Sequence, residues 1–310
     1  MVRVVLLGPQ RHNQTIARAV TDLDLKGPLA VITAGWQERE AELEELDAHL
    51  GMETVNLNLH QRGEEVFRRD TTFTEAHRQH QDFLKRLQEI YRIRLSKTQG
   101  AVHELMAKHQ WPHEIIGPEI EDSLQAIRNL DEHHLRRIRG ANREFERKWQ
   151  PSDRPSIAGH RMELSEILER CGGVLIAGGH VAVLLNRLRL FKLEPMLSQK
   201  PLVAWSAGAM VLAKRIVLFH DTPPQGQGFA EVFESGLGLF SNLIPLPHAE
   251  KRLQLESLDR VSIFARRFSH SICVPLDEGD RIDWDGNWWR TTENTRKLSV
   301  GGQLEQWEEI

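Results

Sequence analysis

Cysteine is nearly missing from this chain. Only Cys171 and Cys273 occur in 310 residues, too few for a disulfide framework and without the paired spacing of a structural zinc site. Both are expected to be buried free thiols. Long apolar runs are missing as well. The opening stretch MVRVVLLGPQ holds about five apolar residues in succession, too short for a signal peptide or a bilayer span. The expected setting is therefore a reducing cytoplasm with no membrane partner. An excess of positive charge is also lacking: 40 Lys+Arg face 44 Asp+Glu, a net charge of −4, which argues against a general nucleic-acid binder. No HExxH-type metal signature is present, and AGGH at 177–180 lacks both the Lys-Ser/Thr of a P-loop and the three-glycine spacing of a dinucleotide fingerprint. No cofactor and no metal is expected.

What remains is 40% hydrophobic residues, enough for a sizeable core, arranged as apolar runs separated by helical patterns. VRVVLLG, PLAVITAG and METVNLNL read as buried strands, with helices over HNQTIARAVTDL and WQEREAELEELDAHLG between them. GGVLIAGG, a helix around VAVLLNRLRL, and PLVAWSAG resume the pattern, followed by RIVLFHD, NLIPLPH and HSICVPLD. Continuous apolar strands alternating with helices predict a doubly wound, mostly parallel α/β sheet with helices on both faces. Near the end, Asp285-Gly286 between tryptophan-bearing flanks predicts a hairpin, with Trp284, Trp288 and Trp289 packed.

Residues 64–150 read differently and form an insertion within an α/β domain made of 1–63 and 151–310. Phe73, Leu84, Leu87, Tyr91, Leu95, Val102 and Leu105 follow a helical spacing. After a break near Pro112 and Gly117, Ile120, Leu124, Ile127, Leu135, Ile138, Phe145 and Trp149 follow another. Two long antiparallel helices are expected, charge-balanced at 16 Lys+Arg against 15 Asp+Glu. The histidines crowded here (His77, His80, His103, His109, His113, His133 and His134) are expected on the surface. Tyr91, Trp111 and Trp149 are large groups for a bare hairpin to cover, which makes a homodimer the expected assembly. The alternative is that the hairpin lies down on its own α/β domain.

The stretch PLVAWSAGAM carries the chemistry. Ser206 stands where a buried strand turns sharply into a helix, and Ala204 and Gly208 occupy the positions that must be small if strand and helix nearly touch. Ala207 would offer its N–H to a developing oxyanion. A plain serine N-cap is the other reading of the same turn. A serine nucleophile needs a base and a group that orients it. His220 and Asp221 follow RIVLF, and His248 closes NLIPLP; His248 is the better-placed base, ending an apolar strand beside Pro247. Gly178 and Gly179 could supply the other half of an oxyanion hole, or cradle a phosphate.

IAGGHVAVLL, LVAWSAGAM, PHAEKRL and CVPLDEGDRIDWDG, in this order, resemble the serine peptidase family of aspartyl dipeptidase and cyanophycinase, of the class I glutamine amidotransferase-like fold. The resemblance covers 160–290 well and 1–60 loosely, and leaves the helical insertion unexplained. It implies Ser206 as nucleophile, His248 as base, and Gly179 with Ala207 as oxyanion hole. It also implies Asp221 as acidic member and Arg252 as a substrate contact, with His180 standing where relatives carry an amide residue. The family often has glycine where Ala177 stands, and the dipeptidases have asparagine where Met210 stands, so aspartyl specificity does not transfer with the machinery. The expected activity is hydrolysis of a small peptide or isopeptide amide through an acyl-enzyme. An esterase and a catalytically silent scaffolding member are the alternatives.

Overall fold

The computed structural model describes residues 2–108, 110–221, 228–292 and 294–307. His109 and most of the loop following His220 lie outside the described residues. The strands are β1 (Val4–Leu7), β2 (Leu29–Ile32), β3 (Thr54–Asn56), β4 (Gly173–Ile176), β5 (Leu202–Trp205), β6 (Ile216–Leu218), β7 (Glu231–Glu234), β8 (Leu243–Pro247), β9 (Ile272–Leu276), β10 (Arg281–Trp284), β11 (Trp289–Thr291), β12 (Arg296–Leu298) and β13 (Leu304–Gln306). The helices are α1 (Ile16–Asp22), α2 (Glu44–Leu50), α3 (Leu59–Arg69), α4 (Thr71–Met106), α5 (His113–Trp149), α6 (Pro155–Arg170), α7 (Val181–Leu190), α8 (Glu194–Leu197), α9 (Ala207–Leu212), α10 (Ala249–Arg252) and α11 (Leu258–Arg267). Among the described residues no helix is long and apolar enough to cross a membrane.

The main sheet runs β11-β10-β1-β5-β4-β2-β3. Its five strands from β1 to β3 are parallel, and β10 and β11 close one edge antiparallel. Each parallel strand is apolar throughout because successive side chains serve two different cores. Val4, Leu6, Ile32 and Ile176 face α3, α6, α7, α9 and the long hairpin. Val5, Leu7, Val31 and Val203 face α1 and α2 on the other side. The hairpin around Asp285 forms as expected: its carboxylate accepts from the N–H groups of Asn287 and Trp288, both at 2.9 Å. Trp284 and Trp289 pack with ring centroids 5.0 Å apart. Trp288, expected to pack with them, is instead exposed, because it sits at the turn where no neighbour can cover it.

The later strands depart from a single parallel sheet. β6 pairs antiparallel with β7, and β8 pairs parallel with β9, each pair standing outside the main sheet.

The insertion folds as two long antiparallel helices of 36 and 37 residues, each about 55 Å at 1.5 Å per residue. Asp70 caps α4 by accepting from the Phe73 N–H at 3.0 Å. It is also gripped by Arg154 at 2.7 and 2.9 Å, which ties the entry of the hairpin to its exit. The hairpin does not project into solvent; it lies on its own α/β domain. Tyr91 on α4 is only 2% exposed. Its hydroxyl donates to Asp131 Oδ1 at 2.7 Å and accepts from the Val232 N–H of β7 at 3.1 Å. Arg267 on α11 donates to both oxygens of Asp131, each at 2.7 Å. Trp149 is half-buried against the core. The need for a partner subunit to cover Tyr91 and Trp149 is thereby met within the chain, and of the three only Trp111 stays open, at 49%. The surface placement expected for the histidines holds for His113 and His133, which are exposed, and is corrected for His77 and His134. His134 is buried, stacked on Tyr91 at 4.2 Å, and His77 lies between Phe67 and Phe73, where burial pushes its pKa down to about 4.

Candidate functional site

Ser206 lies between the last residue of β5 and the first of α9, with φ 52° and ψ −124°. A serine rarely occupies this region, and holding it there stores strain at one residue. The strand-to-helix reversal demands it, since α9 starts immediately and presses on the strand beside it. At Gly208 an added Cβ would run into the carbonyl of Ile176. Ser206 occupies the N-cap position yet makes no capping bond. Its hydroxyl therefore does not serve the helix, which removes the plain N-cap reading of the turn.

The loop after β4 stands against this hydroxyl. A Cβ placed on Gly178 would come within 2.6 Å of Ser206 Cβ and 3.3 Å of the Ala207 nitrogen, so only glycine admits the approach. Gly179 has φ +103°. The His180 N–H donates to the Gly35 carbonyl at 2.8 Å, which fixes the loop against the segment after β2. Among the described residues the N–H groups of Gly178, Gly179 and Ala207 donate to no acceptor. The His180 side chain is exposed and accepts from the Val183 N–H at 3.3 Å, capping α7.

His248 follows β8 in a left-handed conformation, φ 58° and ψ 38°, and starts α10. Its N–H donates to the Leu276 carbonyl at 3.1 Å. The turn after β9 reaches β1 through Gly8, whose N–H donates to the Asp280 carbonyl at 2.9 Å, and β1 pairs with β5 at Leu7 and Trp205. His248 is thus delivered to the same carboxyl edge as Ser206, the edge where open α/β sheets place their crevice. Its imidazole makes no hydrogen bond among the described residues. Burial lowers its pKa first, Arg252 and Lys251 lower it further, and Glu278 opposes them. The shift favours the uncharged ring, the form that can accept a proton.

Asp221 is placed differently from the sequence expectation. Its carboxylate accepts from Arg260 at 2.6 Å and from the Gln254 N–H at 2.7 Å, and its own N–H donates to the Arg252 carbonyl at 2.8 Å. It makes no hydrogen bond to His248. β6 pairs with β7 outside the main sheet, and Asp221 braces the segment just after His248. His220 is exposed. The Arg252 side chain makes no ion pair or hydrogen bond among the described residues. Glu250, the acid two residues before it, is engaged by Arg296 at 3.0 Å.

Two contributors carried no sequence signal of their own. Gln37 repeats the strained geometry of Ser206, with φ 59° and ψ −121°, two residues after the Gly35 that meets the Gly178–His180 loop. Asp277 accepts from the Glu250 N–H at 3.2 and 3.3 Å, holding the start of α10, and burial raises its pKa to about 6. The sequence showed Asp277 only as part of LDEG.

A pH prediction arises from the charges around His248. Arg252→Ala removes a cation that holds the imidazole pKa down, so that pKa should rise. A reaction that needs the neutral ring loses rate as pH falls through this pKa, so the acid limb of kcat/KM should move to higher pH in the variant. Glu278→Gln should move it the other way. Rate profiles from pH 4 to 8 check both signs.

No curated protein matches this chain. Two solved structures are similar to it. One is a peptidase from an acI-B1 actinobacterium, 13% identical, with 99% of this chain and 97% of that one covered at a TM-score of 0.48. The other is a candidate peptidase E protein from Listeria monocytogenes EGD-e, 18% identical, with 44% of this chain and 65% of that one covered at a TM-score of 0.31. Residues 139–291 match the model of peptidase family S51, a stretch that holds Ser206, His248 and Arg252.

Proposed function

We propose that this protein is a serine peptidase that cleaves a small peptide or isopeptide amide, with an acidic residue on the acyl side of the bond, through an acyl-enzyme. The observation that supports it most is a serine hydroxyl held at a strained turn with no structural bond of its own, flanked by amides without acceptors. Ser206 Oγ attacks the amide carbon while His248 takes its proton. The N–H groups of Ala207 and of Gly178 or Gly179 meet the oxygen that becomes negative. The tetrahedral adduct collapses, the C–N bond breaks, and the amine leaves with the proton from His248. Water then gives a proton to His248 and attacks the ester, releasing the acid and restoring Ser206. Asp221 acts on this reading by holding the segment that carries His248 and Arg252, so Asp221→Asn should slow the reaction less than loss of His248.

Labelling with a fluorophosphonate, mapped by mass spectrometry, tests the assignment. Modification at Ser206 is expected, and modification at another serine instead would overturn it. A dipeptide and isopeptide screen then defines the substrate.

Arg252 supplies the proposed selectivity. Its guanidinium, one helical turn beyond His248 and unpaired, can grip a carboxylate with two parallel hydrogen bonds, and lysine cannot reproduce that fork. Arg252→Lys should raise KM for an acidic substrate about tenfold more than for a neutral one, a difference of about 1.4 kcal/mol. Equal effects on both substrates would remove Arg252 from recognition.

A further inference from the structure

A second concavity lies away from the serine turn. It is a cleft of about 800 Å³ between the long hairpin, α7 and β7. Ser206, Gly178, His248 and Arg252 do not line it. Its walls combine two chemistries. Leu84, Phe145 and Phe233 give it an apolar, partly aromatic surface, and His80 stacks flat on Phe145 at 4.4 Å and 14°. Arg139, Arg143 and Arg147 enter from α5 at four-residue spacing, which aligns them on one helix face, and Lys192 enters from the turn after α7.

These cations are poorly neutralised. Arg143, Arg147 and Lys192 have no side-chain ion pair or hydrogen bond among the described residues. Arg139 donates only to Ser235 Oγ, at 2.8 Å. Of the carboxylates, Glu234 is taken by Arg189 and Asn142. Glu146 and Glu194 remain, so five Lys and Arg side chains face three carboxylates around the cleft. That balance is reversed from the net charge of the whole chain, −4. Stacking surface next to unpaired guanidinium groups recognises a flat ring that bears a negative charge.

We propose that this cleft binds an organic anion with an aromatic body. The proposal stands apart from the peptidase reading, since it uses none of the residues of that site. The probe is 8-anilinonaphthalene-1-sulfonate, titrated into the full chain and followed by fluorescence, with its uncharged counterpart N-phenyl-1-naphthylamine in parallel. Saturable one-site binding of the sulfonate is expected, unchanged in Ser206→Ala. The double variant Arg143→Glu/Arg147→Glu should weaken it at least about tenfold and leave the neutral probe within about twofold. Phe145→Ala should weaken both probes. Arg94→Glu/Lys97→Glu, on an exposed part of α4 outside the cleft, is the control and should change neither. The milder pair Arg143→Gln/Arg147→Gln, with circular dichroism of each variant, separates loss of the site from loss of the fold. Absence of saturable binding, equal affinity after charge reversal, or equal loss in the α4 control would each overturn the proposal.

Discussion

Ser206→Ala is expected to abolish turnover while leaving the fold and its stability essentially unchanged. The hydroxyl makes no hydrogen bond, so deleting it strands no partner, and alanine meets the same backbone strain at φ 52° as serine. Stability should therefore stay within about 1 kcal/mol. The rate is another matter, because nothing else at the turn can form the ester. Loss of the nucleophile from a serine–histidine unit removes on the order of 10⁴ to 10⁶ in kcat, and loss of its base costs nearly as much without adding to the first. His248→Ala should thus approach the serine variant, the double variant should be no worse than either, and His220→Ala should be silent. Steady-state kinetics on a cleaved peptide, with thermal melts of each variant, decide it. A damaging His220→Ala beside a silent His248→Ala would mean that the base has been assigned wrongly.

Asp131→Ala should be the most destabilising single change in the insertion. Asp131 and Arg267 are both nearly inaccessible, at 1% and 3%, and Arg267 also donates to the Tyr91 hydroxyl at 2.8 Å and to the Ala230 carbonyl at 2.7 Å. Removing the carboxylate leaves a buried guanidinium without its countercharge, which costs about 3–5 kcal/mol. The same change frees the Tyr91 hydroxyl of its acceptor at the point where α4, α5, β7 and α11 meet. Urea denaturation of the full chain measures the loss. Replacing both partners, Asp131→Leu with Arg267→Met, should recover much of it, because no charge then remains to be solvated. A single variant that loses less than about 1 kcal/mol would show that water or another group reaches Arg267.

The layered core and the serine turn were legible in the chain's local pattern. Strands such as Val4–Leu7 and Leu202–Trp205 are apolar at every position, which only a sheet covered on both faces can satisfy, and the small residues around Ser206 are dictated by backbone contact within a few residues. The two long helices were equally legible, because their apolar residues recur at a helical period over ten turns. Their destination was not. Whether Tyr91 meets a second subunit or the molecule's own β7 depends on Asp131 and Arg267, 136 residues apart, and local spacing carries no record of that pairing. The same limit governs the candidate site. Ser206 and His248 each end an apolar strand, and that much is local. Asp221 also follows a strand, but its carboxylate meets Arg260 of α11 and not the imidazole, a pairing 39 residues apart that local spacing does not record. Strand pairing is a choice among distant partners, settled by what the tertiary structure can bury together, and it decided that the Asp221 carboxylate is engaged by Arg260 and the Gln254 N–H.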